Sequence, residues 1–274
     1  MSKRNSQASK TAARERLREE RERQAKRDKA KRQAIVAGSV VAVLAAAGGI
    51  GYAVVQANKP SGWDAVKDQK LVKPAHSTGT DGTTVVVGKS TAKKTLVMYE
   101  DPRCPVCAQF EQTVGPTVKQ DLDAGKFKIQ YVGATFIDNN IPGEGSKNAL
   151  SALGAALNVS PEAFFEYKTA LYSTKFHPDE QDDKFASDDY LIKVANTVSA
   201  LKDNTAFRNA VKKGTYDKWA LVMSGKFDTD QKKYGFQGTP TLLMDGKILT
   251  GGDGKNPPMS VADFNTALQK ALKA

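Results

Sequence analysis

The sequence predicts an α/β domain with a long helical insertion, preceded by one membrane-crossing helix. Three observations predict it. A β–β–α–β pattern surrounds Cys104 and Cys107, the only cysteines among 274 residues. From Ser146 to about Gly225 apolar residues recur at helical spacing. Strand signals then return as a hairpin, and a last amphipathic helix closes the chain.

The N-terminal elements set the compartment. Residues 1–33 hold 13 Lys or Arg against 5 Asp or Glu, a net of +8 out of +11 for the whole chain. The high pI therefore describes a tail, and the other residues carry only +3. A tail this polar buries no core. It reads as a topology signal and not as a nucleic-acid surface. Residues 34–55 follow without a single charge, a length that suits a bilayer crossing of about 20 residues. Lys31 and Arg32 abut its start, which places the N-terminus in the cytoplasm and the bulk of the chain outside. The rival is a cleaved signal peptide ending near Val55-Gln56-Ala57, but the apolar run exceeds the usual length. Either way Cys104 and Cys107 lie where disulfides persist. Residues 56–80 read as a linker with one short element around Trp63. Residues 81–274 are long enough for one domain with a real core, without internal repeats.

Thr83–Val87 and Thr95–Tyr99 read as strands. Residues 104–123 read as one helix, with Phe110, Val114, Val118 and Leu122 on its apolar face and Gly125 as its stop. Lys126–Ile137 alternates like a strand. The insertion, about 139–230, begins with Ala149, Leu150, Leu153, Ala156 and Leu157. Ser160-Pro161-Glu162 starts a further helix, Ser as N-cap and Pro at the first position. Its stripe is Phe164, Phe165, Leu171 and Tyr172, read as core, as is Trp219. Two more helices are expected over 188–201 and 204–223. Asp245-Gly246 between two apolar runs is a hairpin turn. Ser260–Lys273 is the last helix.

The chemistry sits in Cys104-Pro105-Val106-Cys107. Positions three apart share a helix face, so the two sulfurs can bond. If the helix starts at Cys104, its thiolate meets the unpaired N–H groups of the first turn, which lower its pKa and make it the attacking group. A zinc site needs about four ligands, and only His76 and His177 are on offer, both distant in sequence. A purely structural bridge over so short a loop removes little unfolded-state entropy. A redox pair is the stronger reading.

The strand before CPVC, the helical block, and Gly238-Thr239-Pro240-Thr241 opening a hairpin resemble the DsbA-like family of disulfide oxidoreductases, over about residues 80–274. The resemblance implies a thioredoxin fold with a helical insertion. It matches Cys104 to the exposed attacking cysteine, Cys107 to the buried resolving cysteine, and Pro240 to the family's cis-proline. Thr239 matches the residue whose backbone pairs with substrate. It implies secreted or envelope protein thiols as substrates, a DsbB-like or vitamin-K-epoxide-reductase-like quinone-linked partner, and no separate cofactor. Two departures stand out. Met98 occupies the place, six residues before Cys104, where the family often holds a buried carboxylate; Glu100 and Asp101 either take over proton handling or cap the turn. Pro105-Val106 brings no charge between the cysteines, so thiolate stabilisation is left to backbone N–H groups and Arg103. Two alternatives remain: a reductase or isomerase using the same pair, and a binding or chaperone module on the same scaffold.

Overall fold

A computed structural model describes residues 62–273 of the chain. The basic tail and the apolar run 34–55 lie outside the described residues. Among the described residues no helix is long and apolar enough to cross a membrane.

Five strands form one sheet in the order β1-β3-β2-β4-β5: β1 Val85–Val87, β2 Thr95–Glu100, β3 Lys128–Gly133, β4 Thr241–Met244 and β5 Lys247–Ile248. Only β2 and β3 are parallel; Met98 stands beside Tyr131 and Glu100 beside Gly133. Side chains alternate between the faces of a sheet, so Met98, Glu100 and Tyr131 share one face. Tyr99 points the other way, where its hydroxyl donates to Asp230 at 3.1 Å and its ring meets Phe236 at 4.6 Å.

The helices are α1 Gly62–Val66, α2 Pro105–Thr113, α3 Gly115–Asp123, α4 Ile137–Asn140, α5 Gly145–Val159, α6 Pro161–Leu171, α7 Asp188–Ala195, α8 Thr205–Lys212, α9 Asp217–Tyr234 and α10 Val261–Lys273. Those from α4 to α9 form the insertion between β3 and β4. α6 starts as its sequence predicts, Ser160 Oγ accepting from the Ala163 N–H at 3.0 Å. The hairpin turn has φ of 51° at Asp245 and 75° at Gly246, the paired positive values of a tight I′-type turn.

Three sequence expectations are corrected. Residues 104–123 form two helices, α2 and α3, meeting at Val114. Pro116 lacks the N–H that an unbroken helix needs, and its ring would clash with the carbonyl one turn earlier. The span 204–223 is likewise two helices, parted at Gly214 with φ 58°. Residues 62–80 are no linker. Trp63 and Val66 are buried, Trp63 Nε1 donates to Asn148 Oδ1 at 3.0 Å, and the Ala75 N–H donates to Asn158 Oδ1 at 3.0 Å.

Candidate functional site

The two cysteines sit where β2 ends and α2 begins. Cys104 is the N-cap of α2, with extended backbone, and Pro105 fills the first turn, where a missing N–H costs nothing. The Cys107 N–H donates to Cys104 Sγ at 3.3 Å, and the Cys104 thiol donates to the Thr239 carbonyl at 3.4 Å. Both thiols are free. Cys104 is recessed at 5% exposure, less open than the resemblance implies, yet Cys107 is wholly enclosed at 0%. The Thr239–Pro240 bond is cis. A cleft of about 430 Å³ opens beside the pair, lined among others by Val106, Phe236, Thr239, Pro240 and Ile248. Val106 and Ile248 are among the few exposed large apolar residues of the described chain.

The electrostatics differ sharply across three residues. The Cys107 thiol hydrogen-bonds the Cys104 sulfur and lowers its pKa; burial opposes this, but the N–H groups of Cys107 and Val106 add to it. The net is a fall to about 7. Burial pushes Cys107 well above its ordinary value, and the neighbouring Cys104 and Glu100 push it the same way. Cys104 is therefore the readier nucleophile. In the reduced protein, its alkylation rate should rise with a midpoint near pH 7 while Cys107 stays unlabelled. Equal labelling of both thiols would overturn this ordering.

Glu100 and Asp101 point opposite ways from the end of β2. Asp101 caps the turn. It accepts from the Arg103 N–H at 3.0 Å, the Ile137 N–H at 3.1 Å and Ser146 Oγ at 2.5 Å. Arg103 is corrected: it does not serve the thiolate. Its buried guanidinium donates from Nη1 to Asp138 at 2.8 Å and from Nη2 to the Glu180 carbonyl at 3.0 Å, with Nε 3.3 Å from Asp183. Arg103 and Asp101 together tie the active-site turn to the insertion.

Glu100 lies on the thiol side, in a buried triad that the sequence reading missed. Lys168 Nζ sits 2.6 Å from Glu111 Oε1 and 3.2 Å from Glu100 Oε2, and all three side chains are buried. Burial drives Glu100 well above its ordinary pKa; Lys168 pulls it down and Glu111 pushes it up. The clues were spacings. Glu111 lies four residues after Cys107, on the same helix face. Lys168 lies four residues after Phe164 and four before Tyr172, inside an otherwise apolar stripe. His177, distant from the cysteines in sequence, is also brought near them. Its Nε2 lies 3.1 Å from the Pro102 carbonyl, next to the redox turn.

A nucleophilic thiol at a helix start, an enclosed partner thiol one turn on, and a cis-proline segment against the first sulfur define a thiol–disulfide oxidoreductase. The thioredoxin family profile matches residues 80–270, and the chain belongs to that family. It is similar to disulfide bond formation protein D of Bacillus subtilis, at 26% identity over 166 residues, covering 60% of this chain and 68% of the other. Among solved structures its fold is similar to oxidised BdbD from Bacillus subtilis, with a TM-score of 0.56 and 21% identity, covering 75% of this chain and 100% of that one. It is also similar to oxidised DsbA from Mycobacterium tuberculosis, with a TM-score of 0.54 and 22% identity, covering 70% and 93%.

Proposed function

We propose that the protein introduces disulfides into secreted or cell-envelope proteins, outside the cytoplasm, through Cys104 and Cys107. One observation carries this: the thiolate at Cys104 is stabilised while Cys107 is held neutral and enclosed. Stabilising the thiolate favours the dithiol form, so the disulfide form takes electrons from other thiols. A substrate thiolate attacks Cys104. The Cys104–Cys107 bond breaks and a substrate–Cys104 mixed disulfide forms. The second substrate thiol then attacks its own partner sulfur, and a substrate disulfide leaves. Thr239 and Pro240, which line the cleft beside the pair, receive the substrate backbone. The names of the Bacillus relatives, disulfide bond formation protein D, support this direction.

Residues 34–55 anchor the chain in this reading, and a quinone-linked membrane enzyme of DsbB-like or vitamin-K-epoxide-reductase-like type re-oxidises it. The chain should therefore stay with membranes through an alkaline carbonate wash; a soluble product starting near Asn58 would mean a cleaved signal.

A second reading, net reduction or isomerisation, draws on the same observation. A Cys104 pKa of about 7 matches the value of about 7 for thioredoxin and not the value of about 3.5 for DsbA. The equilibrium potential of the Cys104–Cys107 couple against glutathione separates the two. Oxidation predicts a value toward about −120 mV; a value near −270 mV would make the protein a reductant.

A further inference from the structure

The cleft beside the redox pair carries a single charged residue. Its lining runs from Val106 past Thr239 and Pro240 to Ile248, and ends at Lys255 and Pro257. None of the residues that line it is acidic. The connection from β5 to α10 fixes the place of Lys255. The Gly251 N–H donates to the Asn256 carbonyl at 2.8 Å and closes the loop. Inside it, Asp253 Oδ1 accepts from the N–H groups of Lys255 at 2.9 Å and Asn256 at 3.0 Å, and Oδ2 accepts from Asn256 Nδ2 at 2.6 Å. Gly254 has φ 68° in this turn, a conformation open to glycine without steric cost. The Gly252 N–H reaches Asp263 Oδ1, in the first turn of α10, at 3.3 Å. Pro258, just beyond, is buried.

The Asp253 carboxylate is thus occupied by amide donors. Lys94, beside the β4–β5 turn, is paired with Asp245, but Lys255 belongs to none of the ion pairs among the described residues. It is exposed, and it is not part of a basic surface, since residues 1–33 account for +8 of the chain's +11. We propose that Lys255 selects substrates that carry an acidic side chain about three residues from the reacting cysteine, on one side of it. This selection rests on the oxidoreductase reading of the pair.

The spacing follows from the sheet. β4 lies between β2 and β5, so two strand spacings, about 10 Å, separate the end of β2 from β5. That is about three residues of extended peptide. A segment with its thiolate at Cys104 and its backbone at Thr239 reaches Lys255 over that length. Its apolar side chains can rest on Val106 and Ile248, both exposed. Apolar walls focus the field of a lone charge, so an acid there is drawn in. A basic side chain in the same place meets repulsion, the complementary half of discrimination. A charge at the rim of a contact acts mainly on the rate of arrival and makes it salt-dependent.

The test is oxidation of a set of reduced two-cysteine peptides by the oxidised full chain, followed by acid quench and mass spectrometry. One cysteine is flanked by glycine and serine. A single Glu or Lys is placed at successive positions before or after the other. Each second-order rate constant is divided by that of the same peptide with glutathione disulfide, which removes the effect of the charge on the peptide's own thiol. The parent should oxidise the Glu peptide up to about fivefold faster than its Lys counterpart, the span of an exposed ion pair. That preference should peak about three residues from the cysteine on one side and be absent on the other. It should vanish near 1 M salt, where screening acts within about 3 Å. Lys255→Met should bring the ratio close to one, and Lys255→Glu should invert it. A ratio of one at every position overturns the selection. So does a preference that Lys255→Glu leaves unchanged, or one equal at all positions, which would mean general attraction by the basic tail. A parent that oxidises none of the peptides overturns the oxidising function itself, and the selection with it.

Discussion

Lys168→Met should destabilise the domain by about 3–5 kcal/mol, because removing one partner of a buried ion pair leaves uncompensated charge. The side chain is 1% exposed and stands between Glu100 and Glu111. Burial lowers its pKa, but the two carboxylates more than offset that, so the ammonium persists. Methionine keeps the volume and removes the charge. Glu100 and Glu111 then face each other without a cation. The deficit should depend on pH in a set direction. Glu100 is a carboxylic acid whose folded pKa is already raised, so it favours the fold when protonated and opposes it increasingly as pH climbs through the folded value. Losing Lys168 raises that pKa further. In urea titrations the midpoint of Lys168→Met should fall far below the parent at pH 8 and recover partly toward pH 5, with the slope unchanged. Adding Glu100→Gln should restore part of the loss, since the two residues are coupled. An unfolding free energy within about 0.5 kcal/mol of the parent, the scale of an ordinary surface change, would show that the triad holds nothing together.

This triad also marks the limit of what could be read from sequence. The elements around the cysteines were legible because each has a local cause: the cap and proline of α6, the Asp-Gly turn, the start of α2 at Pro105. Cys104, Cys107, Thr239 and Pro240 could be picked out by motif, and the structure brings them together. Lys168 could not be weighed in the same way. Its partners lie 68 and 57 residues away, and only the pairing of β2 with β3 and the packing of α6 over that face put them in reach. In a stripe read as Phe164, Phe165, Leu171 and Tyr172, a lysine passes as a solvated position. Arg103 misled for the converse reason. It adjoins Cys104 in sequence, but its side chain turns to Asp138 and Asp183, which the insertion delivers from 35 and 80 residues on. Nearness along the chain says little about direction at the end of a strand. The missed breaks at Val114 and Gly214 are different: Pro116 and Gly214 were visible, and the apolar periodicity running through them outweighed their local effect.

Cys107→Ala should turn the protein into a trap. In the intact pair, Cys107 lies one turn from Cys104 with its N–H on the Cys104 sulfur, so any mixed disulfide at Cys104 has a resolving thiol beside it. Well-oriented intramolecular attack reaches effective concentrations of 10⁵ M and more. Even an effective concentration of about 1 M outruns millimolar external thiol about a thousandfold. Without Cys107, resolution falls to external thiols, and those must enter a site where Cys104 is 5% exposed. Covalent adducts between the Cys104 sulfur and partner sulfurs should therefore accumulate as bands of higher mass on non-reducing gels and vanish on reduction. Cys104→Ala should give far fewer, because the remaining thiol is enclosed and its pKa is raised by burial. The contrast between the two variants carries the meaning. Adducts in Cys107→Ala alone assign attack to Cys104 and resolution to Cys107, and the partners captured define the substrates. Equal capture by both would leave the order of the thiols unexplained by the burial that separates them. Capture by neither, in the compartment where the protein resides, would mean that the pair does not exchange with protein thiols. The apolar cleft at Val106, Pro240 and Ile248 would then be a binding surface in its own right, on a thioredoxin scaffold whose cysteines stay idle.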